Sequence, residues 1–223
     1  MRINAITYSV MTLKSPITPD MNCQLCPRLA AFRAENKDKF PDEFNAPVPS
    51  FGDIGAQILI VGLAPGLKGA NFSGRPFTGD YAGELLYSTL IKYGFAKGEF
   101  KARPDDGLEL LNTRITNAVR CVPPENKPIG SEINTCLQFL TSQIAAMPNL
   151  KIIISLGLVS HNAVLKSQGV KLSAFKFTHQ GVHKLSDELI LIDSYHCSKY
   201  NTSTKRLTES MFHDVFALAK SKL

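Results

Sequence analysis

Four cysteines have a spacing that could hold a metal ion or a cluster. Cys23 and Cys26 form a C-x-x-C pair near the start of the chain, and Cys121 and Cys136 follow much later. A pair of thiolates, joined by two more from separate elements, can complete a tetrahedral zinc site or an iron–sulfur cluster. The alternative is that all four are buried structural cysteines, and spacing alone does not choose between zinc and iron.

The loop "GLAPGLKG" follows the apolar run "ILIV" and offers backbone rather than side-chain chemistry. It fits neither G-x-x-x-x-G-K-[ST] nor G-x-G-x-x-G, which disfavours a nucleotide-phosphate site. Gly62 and Gly66 carry no side chain, so main-chain N–H groups can closely approach a flat heterocycle or a developing anion. The alternative is a tight turn between a strand and a helix.

Three single residues near this loop or at strand ends could recognise a base. Phe77 could stack on it, and the amide of Asn117 could offer a donor and an acceptor to a pyrimidine edge. His196 could donate to an oxygen that gains negative charge. The alternatives are a core phenylalanine, a buried asparagine and a structural histidine. A nucleophilic dyad of His196 and Cys197 is rejected, because adjacent strand residues point to opposite faces.

The segment "SKYNTSTKR" after His196 is polar and basic and contains one aromatic residue. This composition suits phosphate contacts and a wedge into a duplex, and the alternative is a solvated loop. The candidate DNA-binding residues are Ser198, Lys199, Tyr200, Asn201, Lys205 and Arg206.

The elements that must position these residues alternate between strand and helix. Strands are predicted at 57–63, 113–121, 151–157 and within 183–196, and helices at 23–40, 81–94, 131–147, 158–169 and 207–223. Ser131 is predicted to cap the helix that it begins. Such alternation predicts a three-layer α/β/α fold with a mainly parallel, four-stranded central sheet and a site beyond the carboxyl ends of the strands. We expect one domain over residues 1–223, with an irregular leader at 1–22.

Composition and charge narrow the function classes. Hydrophobic residues make up 44% of the chain and charged residues 20%, which indicates a folded rather than a disordered protein. The net charge of +6 favours a polyanionic partner or serves solubility alone. No apolar run approaches the ~20 residues of a membrane span. The start of the chain lacks a secretory signal, so we expect an intracellular protein without a disulfide framework.

Taken together, these motifs resemble the uracil-DNA glycosylase superfamily, in particular its family 5, or UDGb, branch. The matching stretches are "CQLC" with Cys121 and Cys136, "VGLAPG", "GRPFTGDYAG", "ITNAVRC" and "SYHCS", which follow the family's order over almost the whole chain. The similar four-cysteine branch carries a glutamate where this chain has Ala64, and an alanine there distinguishes family 5. This chain has Cys197 where the superfamily more commonly has a proline, which leaves that loop less rigid.

The resemblance implies a role for each candidate residue. The four cysteines would hold a structural [4Fe–4S] cluster, with zinc as the alternative occupant. Phe77 would stack on the flipped base, Asn117 would read its edge and His196 would contact its carbonyl oxygen. Asp80 would assist water. Backbone N–H groups of Gly62 and Ala64, together with Asn117 and His196, would stabilise the departing anion.

The implied activity is that of a monofunctional uracil-DNA glycosylase, a hydrolase that initiates base excision repair. Because Ala64 leaves a roomier pocket, we expect hypoxanthine, xanthine, hydroxymethyluracil or ethenocytosine to be excised as well. The expected partner is double-stranded DNA containing uracil or damaged bases, bound by a monomer that could also use a sliding clamp.

Two other functions compete with this prediction. One is a zinc- or cluster-stabilised nucleic-acid-binding protein without catalysis. The other is a metal-dependent hydrolase using His161, His179, His183 and His196, which is disfavoured because H-E-x-x-H spacing is missing.

Overall fold

The computed structural model describes residues 15–223. The helices are α1 (Pro27–Lys39), α2 (Ala70–Ser73), α3 (Tyr81–Tyr93), α4 (Gly130–Ala145), α5 (Leu158–Ser167), α6 (Lys199–Ser203) and α7 (Glu209–Ser221). The strands are β1 (Phe51–Gly52), β2 (Ile58–Gly62), β3 (Ala96–Lys97), β4 (Glu109–Leu110), β5 (Thr113–Asn117), β6 (Ile152–Leu156), β7 (Val182–Lys184) and β8 (Ile190–Ser194). Of the predicted leader, residues 1–14 lie outside the described residues, and 15–22 form no helix or strand.

Within residues 15–223, the central sheet has six strands in the order β1-β5-β2-β6-β8-β7. Its four inner strands are parallel, whereas β1 and β7 pair antiparallel at the edges. The prediction of four strands is therefore wrong in number, although the four inner strands are the predicted ones. The edge strands have only 2 and 3 residues, too few to show the alternation that marks a strand in a sequence.

Helices cover both faces of this sheet, which explains the long apolar runs of β2 and β6. On one face, Leu86 and Leu90 of α3 and Phe216 of α7 pack on the isoleucines of the strands. On the other face, Leu140 of α4 and Val164 of α5 pack on the alternate strand residues. The predicted α/β/α layering is confirmed. Within residues 15–223, no helix is long and apolar enough to span a bilayer.

Three predicted boundaries differ from the structure. The strand predicted at 113–121 ends at Asn117, and the chain after His196 contains the short helix α6 rather than only a loop. Ser131 does not cap α4, because the helix already begins at Gly130. Instead, the carboxylate of Glu132 accepts a hydrogen bond from the Ile129 N–H at 2.9 Å.

A buried ion pair between Arg75 and Asp106 holds the loop that carries Phe77 in place. The Arg75 guanidinium donates two hydrogen bonds of 2.7 Å to Asp106, and the two side chains are only 5% and 0% exposed. Arg75 also donates to Thr78 Oγ1 at 2.7 Å, and the Tyr87 hydroxyl donates to the Pro76 carbonyl at 2.6 Å. This loop is therefore anchored on both sides of Phe77.

Replacing Asp106 with asparagine should destabilise the protein by about 3–5 kcal/mol at pH 7, because it leaves the buried Arg75 charge unpaired. The guanidinium holds the pKa of Asp106 well below its ordinary value of 3.8. A lowered carboxyl pKa stabilises the fold fully above that ordinary value, and this stabilisation is lost progressively as the pH falls from there towards the lowered pKa. Urea denaturation at pH 7 and pH 3 should show a large deficit that shrinks at pH 3. An equal deficit at both values would contradict the ion-pair explanation.

Candidate active site

A narrow niche forms where β2 and β5 end side by side. Gly62 and Asn117 are opposite each other as the last residues of these strands. A Cβ atom built on Gly62 would lie 2.6 Å from Phe77 Cζ, and it would come closer still to Asn117 Oδ1. Glycine at this position is what allows the amide and the ring to meet.

The backbone of Phe77 lies in the left-handed region, at φ 54°, which is unfavourable for a bulky residue. Gly83, in the first turn of α3, makes room for it, because a Cβ there would collide with the Phe77 carbonyl. The ring is 6% exposed, and its centroid lies 6.0 Å from that of the His196 ring at an interplanar angle of 28°. The phenyl ring therefore lies buried beside the imidazole.

His196 follows β8, the neighbour of β6 in the sheet. Its backbone carbonyl accepts a hydrogen bond of 2.8 Å from Asn201 Nδ2, which fixes the turn that presents the ring. Burial lowers the pKa of His196 to about 4. The imidazole is therefore neutral at pH 7, and it can donate one ring N–H to an oxygen in the niche.

Asp80 reaches the same niche from the N-terminus of α3. One carboxylate oxygen accepts from the Gly83 N–H at 3.1 Å, so Asp80 caps this helix. The other oxygen would lie 2.7 Å from a Cβ on Gly69 and 3.2 Å from one on Gly66. Burial raises the pKa of Asp80. The two glycines thus leave space for a carboxylate at the niche wall.

The niche opens into a cleft of about 630 Å³. The niche is lined by Ala64, Gly66, Ala70, Phe77, Asp80, Ala82, Asn117 and His196. The cleft shares several of these and adds Leu63, Leu67, Lys68, Gly69, Gly79, Tyr81, Asn126, Ser198 and Lys199. The structure thus brings together the residues predicted to hold a base, which come from four separate segments.

Some of the candidate DNA-binding residues lie at the cleft, whereas others contact the rest of the protein. Ser198 and Lys199 line the cleft, and Tyr200 beside them is 73% exposed. Asn201 turns inwards to the His196 carbonyl, and the Arg206 guanidinium lies 4.8 Å above the Tyr195 ring. These two therefore support the fold around the cleft.

Asn126 lines the cleft, although sequence reasoning did not single it out. It lies at φ 56° next to Glu125 at φ 54°, so two successive non-glycine residues are left-handed. The run "PPENKP" signals a turn, but it does not reveal that this turn reaches the cleft.

The histidines of the competing hydrolase hypothesis do not form one site. His161 and His183 contact the Asp193 carboxylate at 2.7 and 2.8 Å. His179 instead donates to the Met211 carbonyl and stacks on Tyr195, while His196 lies in the niche. This separation removes the basis for a four-histidine metal centre.

The four predicted ligand cysteines line one small cavity, whereas Cys197 is buried elsewhere against the Ala82 carbonyl. Cys23 and Cys26 precede α1, with Cys26 directly before its first residue, Cys121 follows β5, and Cys136 lies in α4. Burial raises the pKa of Cys136 to about 12, so this thiol would need a bound cation to ionise at neutral pH.

The sulfur spacing tests which group fits this cavity. Among residues 15–223, no three cysteine sulfurs all lie within 4.8 Å of one another. A tetrahedral zinc ion, with Zn–S bonds of about 2.3 Å, requires sulfurs about 3.8 Å apart. A cluster interposes several iron atoms between its thiolates and separates them further. The cysteine set is therefore compatible with a cluster.

Comparison with known proteins agrees with this geometry. The family model described as the Uracil DNA glycosylase superfamily matches residues 49–220. The type-5 uracil-DNA glycosylase of Thermus thermophilus is 41% identical over 203 residues, covering 89% of this chain and 92% of that protein. The type-5 enzyme of Mycobacterium leprae is 36% identical, covering 91% and 94%.

A type-4 relative matches over a smaller share of the chain. The type-4 uracil-DNA glycosylase of Sulfurisphaera tokodaii is 34% identical over 179 residues, covering 77% of this chain and 74% of that protein. The longer matches are thus to type-5 enzymes, and the alanine predicted to mark that branch, Ala64, lines the niche. The chain belongs to the uracil-DNA glycosylase superfamily and is similar over nearly its whole length to the type-5 enzymes.

Proposed function

We propose that this chain is a monofunctional DNA glycosylase that flips uracil out of double-stranded DNA and hydrolyses its N-glycosidic bond, the first step of base excision repair. The observation that carries the proposal is the convergence of Phe77, Asn117 and His196 on one niche beside a wider cleft. A base can enter such a niche only after it leaves the helical stack, which costs a few kcal/mol and less at a mismatch.

Recognition of the base would use a ring face and an amide. The Phe77 ring provides a surface for stacking, and its anchored loop holds this surface still. The Asn117 amide presents a donor and an acceptor, which match the N3–H and O4 of uracil. Because Gly62 lets the ring and the amide meet, a flat base can stack on Phe77 while its edge faces Asn117.

The chemical step would depend on stabilising the departing base. When the bond between C1′ and N1 breaks, its electron pair leaves with uracil as an anion, and the sugar becomes an oxocarbenium ion. The neutral His196 imidazole donates to the uracil O2, where negative charge develops. Within residues 15–223, the Ala64 N–H has no backbone acceptor, so it is free to donate as well. Donors of this kind each contribute about 3–4 kcal/mol to the transition state.

Water completes the reaction at the sugar. We propose that Asp80, at the wall between the niche and the cleft, orients a water molecule towards C1′ and accepts its proton. The products are a free base and an abasic site. A carboxylate at position 64 is not needed in this scheme, because the base leaves before water must attack.

The DNA would lie across the mouth of the cleft. Lys199 places a positive charge beside it, and Tyr200 extends into solvent from the same short helix. A basic residue suits a phosphate, and an exposed aromatic residue suits the gap left by a flipped base. We propose that the protein binds double-stranded DNA as a monomer through this face.

We propose a structural [4Fe–4S] cluster on Cys23, Cys26, Cys121 and Cys136. Within residues 15–223, no three of these sulfurs lie within 4.8 Å of one another, which favours a cluster over a tetrahedral zinc ion. When bound, the cluster would join the N-terminal segment to the end of β5 and to α4, and it would take no part in bond cleavage. Anaerobically purified protein should be brown, with an absorbance band at about 400 nm and with bound iron. A colourless protein with stoichiometric zinc would contradict this assignment.

The activity is tested with an end-labelled duplex that contains one G·U pair. The expected result is a strand break only after alkali treatment, because a monofunctional enzyme leaves the abasic site intact. The same duplex with G·C is the control. If the G·U duplex yields no alkali-labile product while the protein still binds DNA, the non-catalytic alternative replaces this proposal.

We also propose that the niche accepts damaged bases larger than uracil, because Ala64 contributes only a methyl group to its wall. The substitution Ala64→Glu should lower hypoxanthine excision by about 10-fold or more and lower uracil excision less, since the added side chain narrows the niche. Single-turnover rates on G·U and on hypoxanthine-containing duplexes measure this. Ala217→Glu, at an exposed position of α7, is the control. Equal losses on both bases would argue against selection by size.

A further inference from the structure

Two buried arginines flank the cysteine cavity, and neither has a carboxylate partner among residues 15–223. Arg33 is 6% exposed and Arg120 is 3% exposed. Arg33 donates to Cys121 Sγ at 3.3 Å and to the Cys23 carbonyl at 2.8 Å. The Arg120 guanidinium donates to the Val48 carbonyl and to two hydroxyl groups, and its backbone N–H donates to Cys136 Sγ at 3.4 Å.

Such an arrangement is unfavourable for a protein without an anion in the cavity. Burying a guanidinium away from water is costly unless an opposite charge lies close by. The nearby carboxylate of Glu132 does not serve, because Arg28 already binds it through two hydrogen bonds of 2.7 and 2.8 Å. The remaining source of negative charge is a set of ionised cysteines, and a cluster on four thiolates is a net anion.

Arg33 differs from Arg120 in what it connects. Its side chain extends from α1 and contacts two of the segments that carry ligand cysteines. One contact fixes the backbone at Cys23 and the other reaches the sulfur of Cys121, far along the chain. Arg33 therefore holds the N-terminal pair in register with the ligands on the α/β core.

We propose that Arg33 is a positioning residue for the bound cluster. Its positive charge and its hydrogen bond to the Cys121 sulfur would help the protein to retain the cluster and would raise the cluster's reduction potential. This inference rests on the proposed cluster. Hydrogen bonds to ligand sulfurs and nearby positive charge stabilise the more reduced, more negative state of a cluster. Loss of the arginine should thus weaken retention and make reduction harder.

The test compares holoprotein of the wild type with Arg33→Met and Arg33→Lys, all purified without oxygen. Three quantities are measured: iron per chain, the decay of the cluster absorbance in air, and the midpoint potential by film voltammetry. Arg33→Met should lose its cluster about 10-fold faster and shift the potential to more negative values. Arg33→Lys keeps the charge but cannot contact both the Cys121 sulfur and the Cys23 carbonyl. Its rate of cluster loss and its potential should therefore lie between those of the wild type and Arg33→Met.

A matched control is Lys37→Met, which removes a charge from an exposed position of the same helix. It should leave the decay and the potential unchanged. Wild-type decay and potential in Arg33→Met would overturn the role of Arg33 while leaving the cluster in place. If Arg33→Met does not fold, Arg33→Lys provides the test. A reduction potential and a rate of cluster decay like those of the wild type would then overturn the role of Arg33. Zinc instead of iron in the wild-type protein would overturn the cluster and this inference together.

Discussion

Replacing His196 with alanine should lower the single-turnover rate of uracil excision about 10²–10³-fold while leaving DNA binding nearly unchanged. The imidazole matters most when the glycosidic bond is nearly broken, because only then does the uracil O2 carry much negative charge. An interaction made only at that stage raises the rate of the chemical step and adds little to substrate affinity. The measurement uses enzyme in excess over a G·U duplex, with binding followed separately by fluorescence anisotropy.

The pH dependence of the same rate distinguishes a neutral donor from a charged one. Because the pKa of His196 is lowered to about 4, the ring should remain neutral over the whole range from pH 8 to pH 6. The contribution of His196, taken as the ratio of wild-type to His196→Ala rates, should therefore stay constant across that range. A ratio that rises steeply towards pH 6 would show that the imidazolium is the donor. The control is His213→Gln. His213 lies in α7 beside Tyr93, at the opposite end of α3 from Asp80, so this substitution should leave the excision rate unchanged.

The second large effect is expected from a single methyl group at Gly62. Gly62→Ala would place a carbon 2.6 Å from the Phe77 ring and against the Asn117 amide, a contact that neither group can accept without moving. A small displacement of a catalytic arrangement can cost about 10²-fold in rate, and this one moves two base contacts at once. We expect at least that loss on uracil.

Gly130→Ala is the matched control, because a Cβ there meets nothing within 4 Å. Because Gly62 is buried at the end of β2, the denaturation midpoint of each variant is measured as well, and excision is compared at a temperature at which both variants are folded. Near-normal excision by Gly62→Ala would mean that the amide and the ring are not the surfaces that hold the base. A loss in Gly130→Ala of similar size would point to a general effect on folding.

Much of the architecture can be predicted from the sequence because long apolar runs report burial on both faces of a sheet. The run "QILIVGL" predicts an inner strand, and its position before "APG" predicts a loop at the carboxyl edge. The edge strands β1 and β7 could not be predicted in this way. Each is too short to show a pattern, and their pairing depends on neighbours that only the folded sheet supplies.

The side chains that could hold a base can be recognised in the sequence by their chemistry, but the contacts that hold them in position cannot. A sequence shows that Phe77 and Asn117 could hold a base, yet it does not show a left-handed backbone at Phe77. That conformation depends on contacts from distant segments, such as Asp106 on Arg75 and the open space at Gly83. Arg33 was missed for the same reason, because a lone arginine in a helix gives no sign of the thiol that it reaches.

The order of the strands has a consequence for the growing polypeptide. The stacking ring and the amide are present once β5 has paired with β2, but the imidazole arrives only with β8, the last strand added to the sheet. A chain that stops before β8 would also leave one side of β6 unpaired, so it would expose an apolar edge and would lack the hydrogen-bond donor His196. Ribosomal products interrupted there should be inert and prone to aggregate, which keeps an unfinished protein from cutting bases out of the chromosome.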